Sequence, residues 1–265
     1  MRAIALLLPF LAAAAPAAPP RVLRIAAHDF AFTMPDSLPA GTYTIEMTND
    51  GRELHHAIVV RLDQGKRLAD LHAAMKDGPP PTWASFLGGP MGPEPGSAPA
   101  AVTMRLDAGR YALVCLVPSA DGVPHVAKGM AKEFVVVGAT GRDALPKADT
   151  ELTLRDYVFA FSRPLRTGRQ VVQVTVPQGQ PHEIVVMKLA SGKSPMDVAT
   201  WLEKPVGPPP ASLAGGMAPI QSGATAQFTL DLTPGEYALL CFVPDQKDGK
   251  PHVAHGIMQQ VRVGS

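Results

Sequence analysis

Hydrophobic and polar positions follow one another in short runs that Gly, Pro, Asn and Asp cut apart. The pattern predicts strands over 22–27, 30–34, 41–49, 55–62, 101–106, 109–116 and 132–137. Each is β-branched or alternating and bounded by turn residues. One stretch has a different period. Ser194 is placed as an N-cap, Pro195 at the first helical position and Asp197 where an acidic side chain serves the cap, while Met196, Val198, Trp201 and Leu202 make a helical apolar face. Leu68, Leu71 and Met75 mark the matching helix earlier in the chain. After each helix comes a proline-rich insertion, Pro79-Pro80-Pro81 to Gly88-Gly89-Pro90-Met91 and Pro208-Pro209-Pro210 to Gly215-Gly216-Met217. Such chain is expected as polyproline II or ordered loop, walling a site or, as the preferred reading, covering a sheet edge. Trp83 and Trp201 do not match one another and are read as core.

The order of elements occurs twice. Residues 29–76 align without a gap on 156–203, with Asp29/Asp156, Phe32/Phe159, Gly41/Gly168, His55/His182, Val59/Val186, Leu62/Leu189, Gly65/Gly192 and Asp70/Asp197 coinciding. The repeat predicts two domains, 21–137 and 150–265, joined by a polar, turn-rich linker at 138–149. Strands with one short helix per repeat make the expected fold class all-β, as two tandem Greek-key β-sandwiches.

Composition narrows the possibilities. The formal net charge of the 265 residues is +1, with no block of like charges, which speaks against nucleic acid or an anionic membrane surface as partner. Arg2 followed by the apolar, Ala-rich segment 4–15 and by Ala15-Pro16-Ala17 reads as a signal peptide over 1–20, hence a secreted or periplasmic protein. That run is too short for stable membrane insertion and Pro9 interrupts it. The two cysteines, Cys115 and Cys241, take equivalent places in the repeats. A bridge between them is disfavoured, because such positions seldom come within the roughly 7 Å that a disulfide allows.

Candidate chemistry gathers around those cysteines. Tyr111-Ala112-Leu113-Val114 leads into Cys115, followed by His125 and Met130 in the order Cys-x9-His-x4-Met. The second repeat runs from Tyr237 to Cys241 and on to His252, with His255, Ile257 and Met258 behind it. A thiolate, imidazoles and a weak axial thioether form the donor set that selects copper in electron-transfer sites. Taken singly, each residue has a commoner role: buried small hydrophobe for the Cys, solvated loop residue for the His, core filler for the Met. Found together, and twice, they favour a metal.

With Asn49-Asp50-Gly51…His55 on an early strand and Cys115…His125…Met130 on a late loop, each repeat resembles a cupredoxin, the type 1 blue-copper domain of plastocyanin, pseudoazurin and the copper nitrite reductases. The resemblance covers nearly the whole chain beyond residue 20 and implies copper held by His55, Cys115 and His125 with Met130 axial. For the second repeat it implies His182, Cys241 and His252, with one or two copper ions per chain. Two points stay open. His55 and His56 face opposite sides of a strand, and the alignment with His182 selects His55, leaving His56 opposite Glu183. At the second axial place stands Ile257, non-ligating, with Met258 as the alternative after a small loop shift; a repeat that binds nothing is the third outcome.

Residues beside the cysteines, Val114, Leu116, Leu240 and Phe242, include no His, and no His-x-His pair occurs, so the expectation is a non-enzyme. The leading expectation is an exported one-electron carrier whose exposed ligand-His edge meets a transient redox partner protein. A copper-holding or delivery protein and a metal-free cupredoxin-like binding module are the alternatives. Oligomeric state is left open.

Overall fold

The computed structural model describes residues 19–76, 80–139 and 144–264. The expected export segment lies almost wholly outside the described residues, as do positions 140–143 of the expected linker. The first half contains β1 (Arg21–His28), β2 (Ala31–Thr33), β3 (Ser37–Pro39), β4 (Gly41–Asn49), β5 (Ile58–Leu62), α1 (Leu68–Lys76), β6 (Ala84–Phe86), β7 (Ala100–Leu106), β8 (Gly109–Val114) and β9 (Ala131–Val137). The second contains β10 (Thr150–Arg155), β11 (Val158–Phe161), β12 (Gly168–Thr175), β13 (His182–Leu189), α2 (Pro195–Glu203), β14 (Ala211–Ile220), β15 (Thr225–Leu232), β16 (Gly235–Leu240) and β17 (Met258–Val263).

Each half stacks two sheets. In the first, β2-β1-β4-β7 faces β3-β9-β8-β5-β6; in the second, β11-β10-β12-β15 faces β14-β13-β16-β17. Alternation dictates the layering: on β4 the residues Tyr43, Ile45 and Met47 are all buried, while those between them are half-exposed. Tyr111 and Tyr237 anchor matching corners, each hydroxyl donating to the carbonyl four residues upstream, Asp107 and Thr233, at 2.7 and 2.8 Å. Cys115, Met130, Cys241 and Ile257 lie in one apolar layer shared by both halves.

The sheets do not stop where the repeat does. Strands β7 and β15 pair antiparallel, Val102 opposite Phe228, so the first sheets of the two halves merge into one of eight strands. Those two residues hold the same place in their repeats, which puts a local two-fold axis between them. The other layer is joined as well: Leu87 bridges Ile220 and Pro90 bridges Met217. Glycine makes the second seam possible. A Cβ on Gly89 would stand 1.8 Å from the Ala57 carbonyl oxygen, and one on Gly216 would stand 2.0 Å from that of Ile184. Gly89 and Gly216 are therefore equivalent, and Met217 takes the place of Pro90.

Several expectations change here. The proline-rich insertions are not merely loop: once the prolines end, β6 pairs with β5 and the longer β14 with β13. The strand expected from His55 begins only at Ile58 in the first half, whereas β13 begins at His182. Pro90 lies opposite Ala57, accepting its N–H at 3.1 Å, and offers no N–H of its own to extend the ladder. Helix α2 carries the expected cap, with the Ser194 hydroxyl accepting from the Asp197 N–H at 3.3 Å and the Asp197 carboxylate accepting from the Ser194 N–H at 2.8 Å. Its apolar face is narrower than expected, since Val198 is buried but Met196 and Leu202 are exposed. Trp83 and Trp201 are half-buried rather than core. The Lys66 ammonium lies 5.0 Å over the Trp83 ring, and the Trp201 indole donates to the Gly207 carbonyl. No helix among the described residues is long and apolar enough to cross a membrane.

Candidate metal centres

Strand β8 ends at Val114 and delivers Cys115 to the interior. The chain then turns out and back, and a single 3-10 turn, His125–Lys128, returns the imidazole. Backbone bonds fix this return. His125 N–H donates to Val117 O at 2.9 Å, Val126 N–H to Cys115 O at 2.7 Å, and Met130 N–H to His125 O at 2.9 Å. Gly129, at φ 101°, takes the left-handed turn that sends Met130 inward. The second half repeats the stitching: His252 N–H to Val243 O, Val253 N–H to Cys241 O, and Ile257 N–H to His252 O.

Three donors converge in each half. His55 Nδ1 lies 3.0 Å from His125 Nδ1, and Cys115 Sγ lies 3.4 Å from His125 Nδ1. In the second centre Cys241 Sγ stands 3.9 Å from His182 Nδ1 and 3.3 Å from His252 Nδ1. Within each trio the ligand atoms all fall within 4.8 Å of one another. Both cysteines are free and buried.

The outer nitrogens are held in turn. His55 Nε2 meets Asp29 at 3.1 Å, His125 Nε2 meets Glu53 at 3.0 Å, and His182 Nε2 meets Asp156 at 3.1 Å. His252 Nε2 faces the Gln180 amide oxygen at 3.5 Å and Asp245 at 3.8 Å. An acceptor at Nε2 keeps the proton on that nitrogen, so the Nδ1 lone pairs point into the centre. Burial opposes charge there. It pushes the Cys115 thiol up to about 11 and raises Cys241 further, while it lowers His55 and His182 and brings His252 down to about 4. Two neutral imidazoles and a thiol that ionises only beside a cation are a donor set that fits a soft or borderline metal, copper among them.

His56 turns away from the donors. It is buried, its pKa falls to about 3 through burial, and its Nε2 accepts the Leu116 N–H at 2.7 Å. Glu183 does the same work in the second half, accepting the Phe242 N–H at 2.9 Å, and burial raises its carboxyl to about 7. The main-chain N–H groups of His56 and Glu183 point at the sulfurs, 3.5 and 3.4 Å away. Met130 and Ile257 are both buried at corresponding places. Met258, whose N–H donates to Gly256 O as that of Ala131 does to Gly129 O, packs with the other apolar layer.

The expected exposed ligand-His edge is not present: His125 and His252 are each 0% exposed. Aromatic rings cover them. Phe30 lies edge-on to His125 at 5.3 Å between ring centroids, and Tyr157 to His252 at 6.2 Å. Both hold left-handed backbone, φ 65° and 68°, which costs on the order of 1 kcal/mol for a non-glycine residue. Sequence reasoning missed these lids and the caps Asp29, Glu53, Asp156, Gln180 and Asp245. The matched aspartates and the aromatics following them were the available signal. Asp245, Asp248 and His255 also cluster, but their oxygens are engaged by Tyr157, Gln180 and the Lys247 and Lys250 N–H groups.

No family model matches the sequence, and no curated protein matches it. Solved structures do resemble it. Auracyanin A, a "blue" copper protein from Chloroflexus aurantiacus, is 22% identical, covering 45% of this chain and 100% of its own, with a TM-score of 0.32. A multicopper oxidase is 14% identical over 92% of this chain and 89% of its own, at 0.26. The blue copper oxidase of Nitrosomonas europaea is 16% identical over 92% and 86%, at 0.26. The expectation of a non-enzyme is corrected by these last two, oxidases that resemble the chain over nearly its whole length. At such identities likeness concerns the fold and assigns no activity. Each half has the cupredoxin-type β-sandwich fold.

Proposed function

We propose that this chain is an exported copper protein with two centres, His55–Cys115–His125 and His182–Cys241–His252, that pass single electrons. The observation that carries the reading is the pair of buried trios, each with Nδ1 lone pairs and a sulfur aimed at one point and with its Nε2 atoms held by acceptors. Copper bound there supplies one-electron chemistry between Cu(I) and Cu(II). The chain's own residues do the rest. The stitched loops hold the donors before metal arrives, so little rearrangement accompanies a change of charge. Met130, buried in the first half, would offer a weak thioether donor to copper held there, and the apolar Ile257 at the corresponding place would offer none in the second. Phe30 and Tyr157 exclude water and, being partly exposed, are where a transient redox partner meets each centre. The apolar segment near the N-terminus supports export.

Copper titration with a visible spectrum, on the wild type and on Cys115→Ser and Cys241→Ser separately, tests this. The expected result is two equivalents bound, thiolate-to-Cu(II) colour, and the loss of one equivalent with its share of colour in each variant. Colourless Cu(I) binding points instead to metal holding. Unchanged copper content and colour in both variants overturns the assignment.

A further inference from the structure

We propose that the seam between the halves is an internal electron path joining the two centres; this rests on the copper reading above. Four extended segments lie side by side across the boundary: 55–59, 87–90, 217–220 and 182–186. Hydrogen bonds link each to the next. Ala57 N–H donates to Pro90 O at 3.1 Å and Val59 N–H to Gly88 O at 2.8 Å. Gly88 N–H donates to Pro219 O and Ala218 N–H to Gly89 O, both at 3.0 Å. Met217 then pairs with Ile184 in the ladder between β13 and β14.

Both ends of this strip finish on a sulfur. The His56 N–H points at Cys115 Sγ, one residue before Ala57, and the Glu183 N–H points at Cys241 Sγ, one residue before Ile184. The route therefore runs from one sulfur through His56 and Ala57, across two glycine-lined crossings, to Ile184, Glu183 and the other sulfur. Three steps between neighbouring strands amount to about 14 Å, at the usual inter-strand spacing. Side chains do not pad the strip where Gly89 and Gly216 stand, because a Cβ there would collide with the carbonyls of Ala57 and Ile184. Backbone thus meets backbone closely at the Gly89 and Gly216 crossings, and hydrogen bonds join the segments between them. With copper held by both trios, one electron would pass from the reduced centre of one half to the oxidised centre of the other, with no proton moved and no bond formed or broken.

The test uses the full chain loaded with copper. The two single Cys→Ser proteins supply the reference spectrum of each centre. A sub-stoichiometric pulse of a small one-electron reductant partly reduces the oxidised protein, and the redistribution of colour between centres is followed. The expected result is a first-order relaxation whose rate stays the same on tenfold dilution and falls at least tenfold in Ala218→Pro, which lacks one crossing N–H. A relaxation rate proportional to protein concentration, or no relaxation while both centres are coloured, overturns the path, as does an undiminished rate in Ala218→Pro with both spectra retained. If that variant does not fold, dilution of the wild type decides alone. Absence of colour in the wild type is a different result and counts against the copper reading. In the metal-free chain, the amide protons of Gly88 and Ala218 are expected among the slowest to exchange with deuterium; rapid exchange shows an opening seam and removes the path.

Discussion

The two centres share their scaffold and differ in what surrounds the sulfur. Backbone bonds that bring Cys, His and Met130 or Ile257 together recur in both halves. Side chains do not. Met130 corresponds to Ile257, His56 to Glu183 and Phe30 to Tyr157, and the Lys128–Asp121 pair of the first loop becomes His255–Asp248 in the second. The acid that caps the late His moves as well, from Glu53 to Asp245, while Gln180 stands where Glu53 does. Geometry of the trio is thus a property of the fold, and electronic character is a property of replaceable residues. A duplicated chain can keep one and vary the other.

The largest effect on this comparison is expected from exchanging Met130 and Ile257, the residues proposed to differ as donors. An apolar Ile in place of a thioether favours Cu(I), so the second centre should have the higher potential. Met130→Ile with Ile257→Met in one chain should reverse the order. Such swaps of similar volume cost below about 1.5 kcal/mol each, so the fold should persist. Spectroelectrochemistry checks it. An unreversed order would mean that the Glu183 carboxyl behind Cys241, against the imidazole behind Cys115, governs the difference.

A smaller effect belongs to that second pair. Removing the side chain in His56→Ala or Glu183→Ala leaves the Leu116 or Phe242 N–H buried without a partner, a loss of about 1–3 kcal/mol. Glu183→Gln retains an acceptor and should cost less than half as much as Glu183→Ala. Chemical denaturation of the metal-free protein measures both. Equal losses for Ala and Gln would show that packing alone matters at this position.

Much of this was legible in the sequence because it depends on local order. The repeat, the strand periods and the Cys–His–Met spacing are periodic or near in sequence; the spacing marked the Cys and late His of each trio, and the repeat alignment with the resemblance marked His55 and His182. The ungapped alignment also put Glu183 opposite His56, the pair that now supports the two loops. What stayed hidden depends on contacts between distant positions. Asp29 reaches His55, with only its match to Asp156 as a signal, and Glu53 reaches His125 across 72 residues, with none. The seam was hidden for a different reason. Its proline and glycine content reads as loop, and only the close approach to Ala57 and Ile184 shows that small residues are there to let backbones pair. An exposed ligand edge was expected from the resemblance alone, and the aromatic lids replace it.

The smallest effect separates the halves by how their helices begin. In α2 the first turn is capped within its own segment by Ser194 and Asp197. In α1 the Leu68 N–H donates to Glu133, which comes from β9, at 2.9 Å. The α2 cap is wholly local, whereas in α1 a local bond from the Arg67 N–H to Asp70, at 2.8 Å, is joined by the tertiary one to Glu133. Ser194→Ala should therefore cost about 1 kcal/mol, the usual value of an N-cap. In urea this is expected as a lower midpoint with an unchanged slope, since the seam makes both halves unfold together. A second, earlier transition confined to the half that holds α2 would show that the halves unfold separately, and would weaken the case for a rigid strip between the sulfurs.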